Sequence, residues 1–349
     1  MAIHLGLCRS FTILSLVLVC AQAPAKILRE DIGELKIHDL LLRPSFMLKE
    51  PKQGSFSIGE SSFALRWELQ AKYSSVVRIG PRSLLNPLAR YSPTVNDDVV
   101  LVEAFGEYED DYGRYRFGRI PVEFGYEGRQ WERTLIFPRS LLFQERAMML
   151  RDVGLSYDVE HNNFFTGLVV HNGESDSDVD GRLWYTARWG YRNDDFEVGL
   201  NGQTGSTKPT STSLSSDTLA GVDPSREAQW RIMGIHAAST RKQFEWVLEL
   251  YSGEREQLKQ IGRFNAGHLD LNYLSSKTFS AHLRYDQMSR NLSDAATLER
   301  QVSLALVFSN KTRSSNLILV GTKVMEKSNV PNDELRLIWN LSPSGVVRF

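Results

Sequence analysis

The last sixteen residues, ELRLIWNLSPSGVVRF, carry Leu335, Leu337, Trp339, Leu341, Pro343, Gly345, Val347 and Phe349 at odd positions, while the even positions are mostly polar or charged. A period of two is the strand period, because successive side chains of an extended chain point to opposite faces. Such a strand either packs its apolar face on a core or turns it toward lipid. The same alternation recurs along the chain: Phe63, Leu65 and Trp67 against Ala64, Arg66 and Glu68; Tyr185, Ala187 and Trp189 against Thr186 and Arg188; Phe244, Trp246 and Leu248 against Glu245 and Val247. Leu283 and Tyr285 against Arg284 and Asp286, and Val302, Leu304 and Leu306 against Ser303 and Ala305, extend it. Half-buried strands therefore dominate. Val99 to Gly106 and Leu317 to Val320 are apolar at consecutive positions, so their phase stays open.

The N-terminus favours export. Arg9 precedes an apolar stretch from Phe11 to Cys20 and then small residues, so residues 1–25 read as a signal peptide and 26–349 as the mature domain. Both cysteines, Cys8 and Cys20, fall in the leader, which leaves no disulfide to staple an exported chain. No later run approaches the roughly 18 apolar residues of a membrane helix. A mean hydropathy of -0.30 fits a barrel that alternates lipid-facing apolar residues with a polar lumen. A net charge of -1 argues against nucleic acid as a partner.

The connections sort by length. Short turns fall at Glu109 to Gly113, Glu160 to Asn163, Arg192 to Asp195, Thr240 to Lys242, Ser275 to Lys277 and Asn310 to Arg313. Between them lie longer links, including Pro81 to Asp97, Gly125 to Asp152, Gly205 to Glu227 and Arg255 to Gly262. That pattern predicts an all-β, transmembrane antiparallel β-barrel of about 16 strands in the outer membrane of a Gram-negative bacterium, with both termini periplasmic. Tyr73, Tyr191, Trp230, Tyr251, Tyr273 and Tyr285 sit near strand ends, either as an interfacial girdle or simply as good strand formers. The expected lumen is mixed, with Arg66, Glu68, Arg188, Glu197, Glu249, His282, Arg284 and Asp286 facing inward.

From Gly113 the chain reads GRYRFGRIPVEFGYEGRQWERTLIFPRSLLFQERAMMLRDVGLSYDV. This resembles the phosphate-selective porins of the O and P type, through Gly118, Pro121, Phe124 and Gly125, then Phe143, Glu145 and Arg146, then Arg151, Gly154 and Leu155. The next strand and loop, FFTGLVVHNGES, extend the likeness to Ser175; Val122 and Glu123 depart from it. The resemblance implies a homotrimeric channel whose third extracellular loop folds into the lumen and narrows it. Arg129, Arg133, Arg139, Arg146 and Arg151 slightly outnumber the loop's carboxylates, and rings of Arg favour anions. Arg114, Arg116 and Arg119 form a candidate ladder on the preceding strand, with a bulge expected at Gly118. Glu145 reads as a loop anchor. Phe349 resembles the terminal aromatic that the barrel-assembly machinery reads, with a break in the strand expected at Pro343.

No histidine pair has metal-ligand spacing, and neither a phosphate-cradling Gly-x-x-x-x-Gly-Lys run nor a Gly-x-Ser-x-Gly elbow occurs, so no cofactor and no metal are expected. The leading reading is a non-enzymatic outer-membrane porin for small hydrophilic solutes or inorganic anions, set in outer-membrane lipid. A barrel enzyme of the phospholipase or protease kind, using His236, His268 or His282, and an adhesive surface barrel are the alternatives.

Overall fold

The computed structural model describes residues 33–49, 53–70, 72–85, 98–144, 148–173, 181–207, 227–257, 260–294, 297–325 and 333–342. The expected leader, Glu145, Arg146, the break at Pro343 and Phe349 lie outside the described residues.

Among the described residues, eighteen strand segments form one antiparallel sheet. Two pairs of segments are single staves with a break. Glu34–Leu41 and Ser45–Lys49 flank Pro44, which has no N–H for a ladder; Gln53–Ser57 and Ser62–Gln70 flank a turn at Gly59. The ladder resumes beyond the break, Leu41 pairing with Ser62 and Ser45 with Ser57. The wall therefore has the sixteen staves expected. Each pairs with the next, and the last, Glu334–Leu341, pairs with Ser45–Lys49 of the first. Along Glu34–Leu41 the first stave has no ladder partner on that side among the described residues, so the seam is zipped over only part of its height.

The phase read from the sequence holds. Leu335, Leu337 and Trp339 are exposed on the outer face while Ile338 and Asn340 are buried inside. The longest strands, Ala228–Arg241, Phe244–Gln257 and Gln260–Tyr273, have 14 residues each. At about 3.3 Å per residue and a tilt of about 45°, that spans roughly 33 Å, enough for a hydrocarbon layer of about 30 Å.

Three local expectations change. The segment Arg255 to Gly262 is not a long link, because the ladder runs on to Gln257 opposite Gln260. The open phase near Val99 has a cause: a register shift puts Arg78 opposite Glu103 but Ile79 opposite Leu101, so Val102 and Glu103 are both buried. The bulge expected at Gly118 thus lies one strand away, and Gly118 pairs in register with Phe105 and Gly154. Its φ of +126° still requires glycine, since a Cβ there would sit 2.3 Å from the Ala104 carbonyl oxygen.

The short-turn end carries an outer aromatic belt. Tyr73 and Tyr108 have ring centroids 4.9 Å apart, Tyr115 and Tyr157 4.9 Å, Phe244 and Tyr273 5.1 Å, and Phe279 and Phe308 5.4 Å. Trp230 and Tyr251 do not belong to it. They point into the lumen and are buried there, for a reason that the long third loop supplies.

Candidate functional site

The wall strand Gly113–Pro121 delivers the chain into the lumen. At Gly125, φ +70°, the backbone turns; a Cβ there would lie 2.0 Å from the Tyr251 hydroxyl. The turn aims two N–H groups at one wall carboxylate. Tyr126 N donates to Glu249 Oε1 at 2.6 Å and Glu127 N to Glu249 Oε2 at 2.9 Å, while Gly125 N donates to Asn201 Oδ1 at 3.2 Å.

Glu127 continues the anchorage. It accepts from Ser140 N at 2.9 Å and from Arg284 Nη1 at 2.8 Å, and Arg284 also grips Asp270 through two bonds of 2.6 Å. Burial opposes the charged form of Glu127, but Arg284 outweighs it, aided by His268 and Arg139, and its pKa falls to about 2. Leu141 N, at the start of the four-residue helix Leu141–Gln144, donates to Asp286 Oδ2 at 2.7 Å. Farther along, Arg43 donates to the carbonyls of Glu132 and Leu135, and Asn340 Nδ2 to that of Arg133 at 2.8 Å. The loop is thus tied to the first and last staves as well as to the middle of the wall.

Apolar faces complete the docking. Phe124, Leu141, Leu142, Phe143, Met148 and Leu150 of the loop cluster with wall residues Trp184, Trp230, Ile232, Tyr251, Phe264 and Met288. A second patch joins Phe137 and Ile136 to Ala305, Val307, Ile318, Val320 and Ile338. This explains the consecutive apolar run at Leu317 to Val320: Leu317 and Leu319 face outward and Ile318 and Val320 take the loop.

The structure separates the arginines singled out by sequence. Arg139 and Arg151 are buried loop fasteners: Arg139 binds the Glu127 carbonyl at 2.7 Å, and Arg151 bridges Glu132 at 2.6 Å and Glu103 at 3.1 Å. Arg114 and Arg116 do face the lumen, where Arg116 meets Glu123 at 3.1 Å, Glu107 at 3.3 Å and Asp158 at 3.5 Å. Arg119 does not join them. In register with Ala104 and Val153, it shares the outward face with Phe117 and donates to the Leu101 carbonyl at 2.9 Å. Arg129 pairs with Glu197 and lies over the rings of Tyr126 and Phe165, each 5.5 Å away. Arg133, exposed at the loop's tip over Trp131, makes no ion pair among the described residues. Sequence reasoning had placed Glu249, Arg284 and Asp286 on the inner face without seeing that they receive the loop. The available signal was the break in inner-face polarity at Trp230, Ile232 and Phe264.

Two of the cavities at the short-turn end bear on permeation. The larger, about 840 Å³, is lined by six arginines and nine carboxylates, with Arg188 shared between Glu123 and Asp158 at 2.6 Å each. Burial again opposes ionisation of Glu123, yet Arg188 and Arg116 hold its pKa down to about 2. The smaller cavity, about 550 Å³, carries Arg133, Lys277 and Arg313 against Asp39 and Glu245. His38 borders both.

No protein-family model matches the chain, and no curated protein matches it in sequence. Solved structures do share its fold. The trimer form of OmpT, an outer membrane protein of Vibrio cholerae, superposes with a TM-score of 0.65 at 11% identity over 90% of this chain and 100% of that one. The anion-selective porin from Comamonas acidovorans gives 0.63 at 12%, over 88% and 98%. The outer membrane channel DcaP of Acinetobacter baumannii gives 0.62 at 9%, over 89% and 98%. The chain has the porin-type barrel fold of Gram-negative outer membranes.

Proposed function

We propose that this protein is an outer-membrane porin, a passive diffusion channel for small hydrophilic solutes and not a catalyst, working as a homotrimer. The observation that carries the reading is a loop folded into a sixteen-stave lumen and docked at its start and its middle, above a cavity lined by charged side chains. The name of the Vibrio protein, a trimer, and those of the porin and channel above support it at the level of fold. The charge census bears on selectivity. The larger cavity carries three more carboxylates than arginines, and acidic linings favour cations. A weak cation preference follows, against the anion or phosphate preference that the family resemblance implies. Single-channel conductance in planar bilayers tests the channel: a folded barrel that shows no conductance steps in any salt overturns it. A reversal potential on the anion side in a KCl gradient restores the phosphate reading.

A second reading has one observation behind it. His282 Nε2 lies 2.7 Å from Ser280 Oγ and its Nδ1 2.8 Å from Asn272 Oδ1, at the edge of the smaller cavity. That is the order nucleophile, base, orienting group of a serine hydrolase. Ester hydrolysis by the purified barrel that vanishes in Ser280→Ala supports it; turnover equal in the variant removes it.

A further inference from the structure

Three acidic or imidazole groups meet where the loop lands and none of the roles above uses them together. We propose that Glu127, Glu249 and His268 bind one divalent cation of the zinc class, which rivets the loop to the barrel wall. Their ligand atoms all lie within 4.8 Å of one another. All three side chains are sealed from solvent: His268 is 1% exposed, Glu249 0% and Glu127 2%.

His268 points to a ligand. Neither ring nitrogen has a hydrogen-bond partner among the described residues, although Nε2 is only 3.4 Å from Glu249 Oε2. A buried imidazole is normally partnered on at least one nitrogen. The carboxylates have the capacity to share a cation. Among the described residues Glu249 Oε2 accepts only Glu127 N, and Glu127 Oε2 accepts only Ser140 N, so each oxygen keeps a lone pair. A neutral imidazole and two carboxylates form the mixed N and O set that zinc takes at about 2.0 to 2.2 Å.

The wall presents these groups as one rung. His236, Glu249, His268 and Asp286 stand directly opposite one another across four adjacent strands. Asp286 Oδ1 is also buried and without a partner among the described residues, but it lies outside the group of donors within 4.8 Å of one another and is not counted as a ligand. Arg284, bonded to Glu127, limits the negative charge, so a single divalent ion neutralises the site. Glu127 belongs to the loop and the other donors to the wall, so the ion cross-links segments far apart in sequence.

The experiment is independent of the channel reading. The purified, chelator-stripped barrel is titrated with Zn²⁺ by calorimetry, with bound metal counted by mass spectrometry, and with Co²⁺ as a spectroscopic probe. The expected result is one ion per chain with micromolar or tighter affinity and a Co²⁺ absorption spectrum of low coordination number. His268→Gln should weaken binding at least 100-fold while His161→Gln, at a short turn, leaves it unchanged. Because His268→Gln keeps a neutral side chain, retained heat-modifiable migration shows that it still folds. If it does not fold, X-ray absorption of the unmutated Zn²⁺ form must show one imidazole ligand. No stoichiometric ion in the unmutated barrel, or binding that His268→Gln leaves intact, overturns the proposal; the second result identifies an adventitious ion only.

Discussion

The two sides of the lumen hold the same loop by different physics. From Phe63 to Arg192 the inner wall is a lattice of arginines shared among carboxylates beside the larger cavity, as with the buried Arg116 among Glu107, Glu123 and Asp158. From Ala228 to Ile338 it interleaves apolar patches with buried charges that the loop covers, as with Arg284 between Asp270 and Glu127. Arg116 and Arg284 are buried to the same degree, so the two sides differ in what surrounds the pairs, several carboxylates beside a cavity on one and apolar landing patches on the other, while burial separates both from rim pairs such as Arg192 with Glu160. Exposed pairs are worth up to about 1 kcal/mol. Breaking a sealed pair strands a charge and costs about 3 to 5 kcal/mol.

The largest effect should therefore come from Arg284→Ala, which leaves Asp270 and Glu127 without their shared cation. We expect the loop to lose about 3 to 5 kcal/mol of anchorage. Limited trypsin digestion should then cut within the loop while the barrel keeps its strand signal in circular dichroism. Arg192→Ala, whose partner Glu160 is half exposed, should cost no more than about 1 kcal/mol and leave the digestion pattern unchanged. Equal behaviour of the two variants would erase the distinction between the two sides.

Next in size is the apolar contact. Leu142→Ala removes a fully buried side chain from the cluster with Trp230 and Phe264, and a cost of about 3 kcal/mol is expected. Noisier open-channel current is the measurement. Quiet current at unchanged conductance would mean that the polar anchors suffice without the apolar ones.

Acid should act on both sides at once. Glu123, beside the larger cavity, and Glu127, beneath the loop, each have a pKa of about 2 in the folded loop against an ordinary 4.5. A depressed carboxylate contributes anchorage that is fully present above about 4.5 and fades as the pH falls toward about 2. Loop digestion by an acid-active protease should rise across that window. Glu127→Gln should flatten the rise more than Glu123→Gln, because Glu127 is 2% exposed and Glu123 16%, so the interactions of Glu127 are the less replaceable by water.

Much of this contrast was legible in the sequence, and what was not has a physical reason. The strand period fixed the inward and outward sets from Phe63 to Trp339, and the sorted turns gave the stave number, because both are local properties. Arg119 was misplaced because alternation was judged across Gly118 from charge alone, whereas the ladder keeps its phase there. The fasteners were invisible for another reason. Glu127 meets Arg284 at a separation of 157 residues, and no local pattern encodes that pairing. A lone His268 likewise shows no metal-ligand spacing until the fold sets Glu249 opposite it. The inner apolar positions Trp230, Ile318 and Val320 were the sequence's one trace of the landing site.

The smallest expected effect is on selectivity, and it compares the two cavities directly. Asp110 and Asp111 line the larger cavity, near the short turn before Gly113, and add to its surplus of carboxylates. Arg133 supplies positive charge to the smaller one. Charges exposed to a wet vestibule are screened beyond about 8 Å at physiological ionic strength, so each should move the reversal potential only slightly. Asp110→Asn with Asp111→Asn should move it toward zero, and Arg133→Ala should move it further toward the cation side. Shifts of these signs mean that ions sample both cavities. If Arg133→Ala leaves the potential unchanged at low salt while the aspartate pair shifts it, the permeation path runs through the larger cavity alone, and the smaller one is a recess beside it.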